Sequence, residues 1–124
     1  MAKWQNDSML DAALDYLAST VTRACICSAQ PTTYTEATAT FMLANVTMDS
    51  GDFTKLDGDT SGRKLVIGEQ KNIIIDNDGV ANHIALVSVA DTTLRYVTTC
   101  LDATLVATAS VDIPTWEIEI ADAS

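Results

Sequence analysis

From Val21 onward the apolar stretches of this chain are short, rich in Val, Ile, Thr and Cys, and closed by clusters of Asp, Asn, Gly, Ser or Pro. β-branched side chains suit a pleated surface, and the turn residues reverse the chain. Runs of this kind at a spacing of about ten residues therefore predict antiparallel strands. The runs are 21–28, 41–48, 64–67, 72–75, 83–89, 94–100, 105–113 and 116–120. Gln30 and Pro31 close the first run. Turns are expected at Asp49–Asp52, at Asp57–Gly62 and at Asp91–Thr92, with a hairpin-type turn at Asn77-Asp78-Gly79 and a break at Pro114. The last run is the clearest: Trp116, Ile118 and Ile120 alternate with Glu117 and Glu119, which describes a strand with one buried and one wetted face.

One segment ahead of these runs has a different period. Leu10, Ala13, Leu14, Leu17 and Ala18 recur at three and four residues, with Asp11 and Asp15 on the other side. This predicts an amphipathic helix of about three turns. Ser8 is placed as its N-cap, with Asp11 at the capping-box position, and Ser19, Thr20 and Val21 should end it. The predicted fold class is mainly β: an antiparallel β-sandwich or barrel-like domain of seven or eight strands with one N-terminal amphipathic α-helix. Residues 1–7 are read as an N-terminal arm and 8–124 as a single β-rich domain. At 124 residues, 48% of them hydrophobic, the chain has material for a core of its own.

Charge narrows the partners. Seven Lys and Arg face seventeen Asp and Glu, a net charge of −10, and only Arg63 and Lys64 are adjacent bases. Nucleic-acid binders gather bases on one face, so no nucleic-acid partner is expected. No apolar run approaches the roughly 18 residues of a membrane helix, so no membrane partner is expected either. Met1–Asp7 is polar apart from Ala2 and Trp4, unlike a secretory signal. With three cysteines, an odd number, this predicts synthesis in a reducing cytosol and no disulfide framework. The sequons at Asn6 and Asn45 carry no meaning there.

Candidate chemistry is thin. Asp57, Asp59 and Ser61, followed by Gly62, match the first half of a calcium loop. The twelfth position is Gly68, Glu69 falls one residue late and no helices flank the segment, so a polar turn is expected. Asp76–Gly79 reads the same way. Cys25 and Cys27 should face one side of a strand. With Cys100 and His83 they make up a zinc-type ligand set, but the spacing is unlike a zinc knuckle and small buried thiols are expected instead. His83, the only histidine, stands near the start of a strand and is expected as a satisfied edge residue. No nucleophile elbow or phosphate-cradling glycine loop is present, and Glu117 and Glu119 read as a solvated face. No catalytic residue, metal or cofactor is assigned, and the chain is expected not to be an enzyme. Trp4, in the polar arm, is either a staple on the chain's own surface or an anchor for a partner. Trp116 is expected in the core.

Three stretches carry a resemblance: Met1–Leu17, Cys27–Ala37, and the run from His83–Val87 through Tyr96–Cys100 to Pro114–Asp122. Together with Asp59–Lys64 they resemble the small virion structural proteins of tailed bacteriophages, of the head decoration (cement) type. The likeness is one of texture and segment order and includes no catalytic signature. It implies a protein made in the host cytoplasm that binds the major capsid protein on the capsid exterior and stabilises the shell, as a homo-oligomer with the trimer favoured. It also implies contact residues in the arm, Trp4, Gln5 and Asn6, together with Tyr34. The alternative is a tail or tail-tip component, with glycan binding among its roles, for which Trp4, Tyr34 and Tyr96 are the available aromatics.

Overall fold

The computed structural model of the chain describes residues 7–59 and 62–120, with side chains from Asp11 onward. Trp4, Gln5 and Asn6 lie outside the described residues, as does the side chain of Ser8. Helix α1 runs over Asp7–Thr20, one residue ahead of the expected start, so Ser8 lies within the helix rather than at its N-cap and Asp7 belongs to the helix rather than to the arm. Leu14 is its buried residue, with Leu17 and Ala18 partly covered, while Ala13 faces solvent. The helix ends where its β-branched and hydroxyl residues gather. The Thr20 hydroxyl turns back onto the Tyr16 carbonyl at 2.6 Å, and the Val21 N–H makes the last bond, to Leu17 O at 2.9 Å.

Nine strands follow among the described residues: β1 (Arg23–Cys27), β2 (Met42–Thr47), β3 (Phe53–Asp57), β4 (Arg63–Ile67), β5 (Gln70–Ile74), β6 (Gly79–Ser88), β7 (Thr93–Leu105), β8 (Ser110–Ile113) and β9 (Trp116–Ile120). All pairings are antiparallel, and the fold is mainly β with one N-terminal helix. They form a four-stranded sheet in the order β2-β1-β6-β7, a three-stranded sheet β3-β4-β9 and a two-stranded sheet β5-β8. No barrel closes among the described residues; the layering is sandwich-like.

Side-chain alternation explains the layers. On β1, Ala24 and Ile26 face one way and Cys25 and Cys27 the other. Ala24 and its paired neighbour Leu86 meet Leu65 and Ile67 of β4, Phe53 of β3, Ile118 of β9 and Leu14 of the helix. Further along the same face, Ile26 and Ile84 meet Ile73 of β5 and Ile113 of β8. One large sheet thus supports two smaller ones side by side. A bulge helps: the β1–β2 register skips Leu43, which turns into the second cluster. On the opposite face Cys25, Cys27, Ala85 and Val87 are covered by Tyr34, Ala37 and Phe41.

Four expectations are corrected. Residues Glu36–Thr40 form a π-helical turn rather than strand or plain loop. The Thr33 hydroxyl accepts from the Glu36 N–H at 3.1 Å, and the Glu36 carboxylate accepts from the Thr32 N–H at 2.8 Å, which satisfies donors at the start of the turn. Phe53–Asp57 is a strand hidden between two turn clusters, with Phe53 buried. Asn77-Asp78-Gly79 closes no hairpin, because β5 pairs with β8 and β6 with β1 and β7. The segment crosses between layers, held by Asp76 N–H and Asn77 N–H on the Leu43 carbonyl. A Cβ at Gly79 would stand 2.9 Å from Leu43 Cδ2, so a side chain there would require Leu43 to shift. Finally, 105–113 is not one strand: β7 ends at Leu105, the chain turns at Val106–Ala109 and β8 begins at Ser110.

Candidate partner-binding surface

Several of the acidic groups singled out in the sequence are engaged by bases, whereas Asp76 accepts from the Asn45 amide and Asp78 from the Ala107 N–H. Arg63 bonds Asp57, and its Nε bonds Asp11 at 2.8 Å. Lys64 Nζ lies 2.6 Å from Asp59 and 3.1 Å from Glu117. Asp59, Glu117 and Glu119 form the one trio of metal-type ligand atoms within 4.8 Å among the described residues, and all three are exposed. The Lys64 ammonium sits among them and holds the Asp59 carboxyl below its ordinary value. Glu69 pairs with Lys71 at 3.5 Å. Ser61 lies outside the described residues.

The sulfur set does not come together. Cys25 and Cys27 share a buried face, as expected, and burial pushes their thiols up to about 11 and about 12. Cys100 packs partly against the second cluster, on the other face of the sheet. His83 is a correction: it lies within β6, an inner strand, between Cys27 and Thr99, and its Nδ1 meets Asn82 Oδ1 at 2.6 Å. Trp116 is also corrected. It is half-buried at the rim, 6.2 Å from the Tyr96 ring, and packs against both large clusters. Tyr34 is half-buried on the Cys25–Cys27 face, and Tyr96 is half-buried as well.

Of the six described bases, Lys55, Arg63, Lys64, Lys71 and Arg95 stand in ion pairs. Arg23 stands in none, and its buried Nε has no hydrogen-bond partner among the described residues. No described helix is long and apolar enough to cross a membrane.

What remains is a surface built by β7. This strand is one of the two edge strands of the four-stranded sheet, with β2 at the other edge, and runs for 13 residues. Its outer edge meets no other described strand, so its outward N–H and C=O groups are open to a partner. Its charged residues are Arg95 and Asp102, and four of the rest are threonines. Two bulges interrupt it, one at Arg95 and one over Cys100–Asp102. The second throws Leu101 outward, where it is 93% exposed.

Beneath this edge lies an apolar cleft of ≈ 250 Å³. Ile26 and Ile84 form its floor, Cys100, Leu101 and Leu105 one wall, and Val111, Ile113 and Pro114 the other. A second hollow continues from it, sharing Ile84, Cys100, Ile113 and Pro114 and reaching Thr98, Trp116 and Glu117. The charged groups on this joined groove are Asp112 and Glu117, and no base lines it. Ile74, Val80 and Val106, on β5, at the start of β6 and just after β7, are further exposed aliphatics. The sequence reading assigned neither Leu101 nor the groove. The loss of alternation at Cys100-Leu101-Asp102-Ala103 was the available signal.

No family model, curated protein or solved structure matches the chain.

Proposed function

We propose that the chain is a virion structural protein that binds the outside of a tailed-phage capsid and stabilises the shell, as a head decoration protein rather than an enzyme. The observation that carries this reading is the surface along β7: an open strand edge above an apolar groove. Such a surface is suited to holding another chain. The resemblance in Met1–Leu17, Cys27–Ala37 and 83–122 supplies the kind of partner, the major capsid protein.

The acidic exterior keeps free copies soluble and away from packaged nucleic acid. Trp4, Gln5 and Asn6 of the arm, together with Tyr34, form a second contact. Repetition over a lattice, with trimers as the unit, makes weak contacts sufficient by avidity. Purified protein should co-sediment with expanded capsid shells and raise their resistance to heat. Absence of binding at micromolar concentration sinks the reading. Deleting residues 1–7, or changing Trp4→Ala, should weaken the binding, and unchanged binding in both removes the arm. Gold labelling of virions separates a head position from the alternative tail position.

A further inference from the structure

We infer that the β7 side of the molecule takes a short extended segment of its partner, aliphatic at alternate positions and basic at its ends, as an added strand. The inference rests on reading β7 as the partner-facing surface, and it names what is bound there.

The argument begins with the two bulges. They bracket Tyr96–Thr99, where β7 pairs regularly with 83–86 of β6. Only over such a stretch can a further strand keep register, so the bulges set both the place and the length of pairing. An incoming strand would lie about 4.8 Å from β7 and show the same alternation of faces. Half of its side chains would then share the face of Tyr96 and Thr98. That face opens on the groove walled by Ile113, Pro114 and Trp116. Past Thr99 the groove deepens into the apolar cleft, and the exposed Leu101 forms its lip. Backbone bonds supply attachment, and the groove selects aliphatic side chains at every second position.

Charge supplies the rest of the specificity. Asp112 lines the groove and Asp102 stands on the neighbouring bulge; Glu117 also lines it but is held by Lys64 at 3.1 Å, as the nearby base on β7, Arg95, is held by Asp91 at 2.7 Å. A segment with acidic ends would be repelled and one with Lys or Arg at its ends drawn in.

The test uses a synthetic peptide of alternating valine and threonine with lysine at each end, titrated into the full chain and followed by amide NMR. Slowed exchange at Tyr96–Thr99 and shifted resonances at Ile113–Trp116 are the expected result. A glutamate-ended peptide should bind about tenfold more weakly. Thr98→Lys should remove binding. Should that variant fail to fold, Asp102→Lys, at an exposed position, should weaken the lysine-ended peptide and strengthen the glutamate-ended one. Lack of any change at Tyr96–Thr99 at millimolar peptide, or equal affinity for the two peptides, overturns the inference. Shell sedimentation reads the capsid proposal by itself, so either idea can fail while the other stands.

Discussion

The guanidinium of Arg95 lies over the ring of Tyr16, 4.9 Å from its centroid, and ties the last turns of the helix to the edge strand. Arg95 Nε also bonds the Thr20 hydroxyl at 3.1 Å, and its Nη2 meets Asp91 at 2.7 Å. The side chain is only 11% exposed, so these contacts are made largely out of water. Arg95→Ala should therefore cost about 1–2 kcal/mol in urea unfolding. Tyr16→Ala should cost less, and a double-mutant cycle should return a coupling between them. Additive effects would show that the stacking contributes nothing.

Leu65 and Leu101 make a paired test of where the core ends. Leu65 is 1% exposed and faces Ile118 across the β4–β9 pair, whereas Leu101 is 93% exposed. Leu65→Ala should lose about 2–5 kcal/mol, since it leaves a cavity between the sheets. Leu101→Ala should stay within about 0.5 kcal/mol of the parent. A large loss at Leu101 would mean that the cleft is closed over in solution.

The three thiols should differ in reactivity. Cys25 and Cys27 are fully buried and hard to ionise, and the thiolate is the reactive form. Cys100 is half-buried in the cleft wall, and burial and then Asp102 raise its thiol too. Under native conditions iodoacetamide should modify Cys100 slowly and spare the other two. All three should react in denaturant. Mass spectrometry of tryptic peptides decides it, and early labelling of Cys27 would show that the 34–41 cover opens readily.

Acid should weaken the fold. Lys64 holds the Asp59 carboxyl below its ordinary 3.8, the Ser88 hydroxyl and then Arg95 do the same for Asp91, and the Thr32 N–H does it for Glu36. Depressed carboxyl values mean that the stabilisation is present above the unfolded values and is lost as pH falls through the folded ones. Urea midpoints should hold steady from about pH 7 to 5 and decline below about pH 4. Asp91→Asn should flatten part of that decline. A midpoint that rose on acidification would contradict these carboxylate contacts.

Much of the fold was legible because burial on one side imposes a period. Leu14, Ile118 and the Glu117–Glu119 alternation stand where the pattern puts them. The lost features are those in which a local signal has two meanings. Asn77-Asp78-Gly79 has hairpin chemistry, but the partner of β5 lies in the distant segment Ser110–Ile113, and pairing over that distance leaves no mark in the turn itself. The strand Phe53–Asp57 was masked by polar clusters on both sides. The turn at Glu36 did carry a sign, Thr33 three residues ahead of a Glu, which is a helix-start pattern between the runs 21–28 and 41–48. Of the partner surface the sequence shows only the threonines of β7, Thr93, Thr98, Thr99 and Thr104. Its groove depends on bulges, and these follow from the competition of two strands for register.

The side-by-side placement of the two smaller sheets bears on how the molecule opens. β3-β4-β9 and β5-β8 share no ladder and rest on separate clusters, bridged by half-buried residues such as Val46 and Trp116. Local unfolding follows cooperative units, so the β5-β8 flap can detach while the helix-bearing half stays folded. Its amides should then exchange with a smaller opening free energy than those of β1 and β6, and Trp116, at the seam, would be the first aromatic to sense the parting.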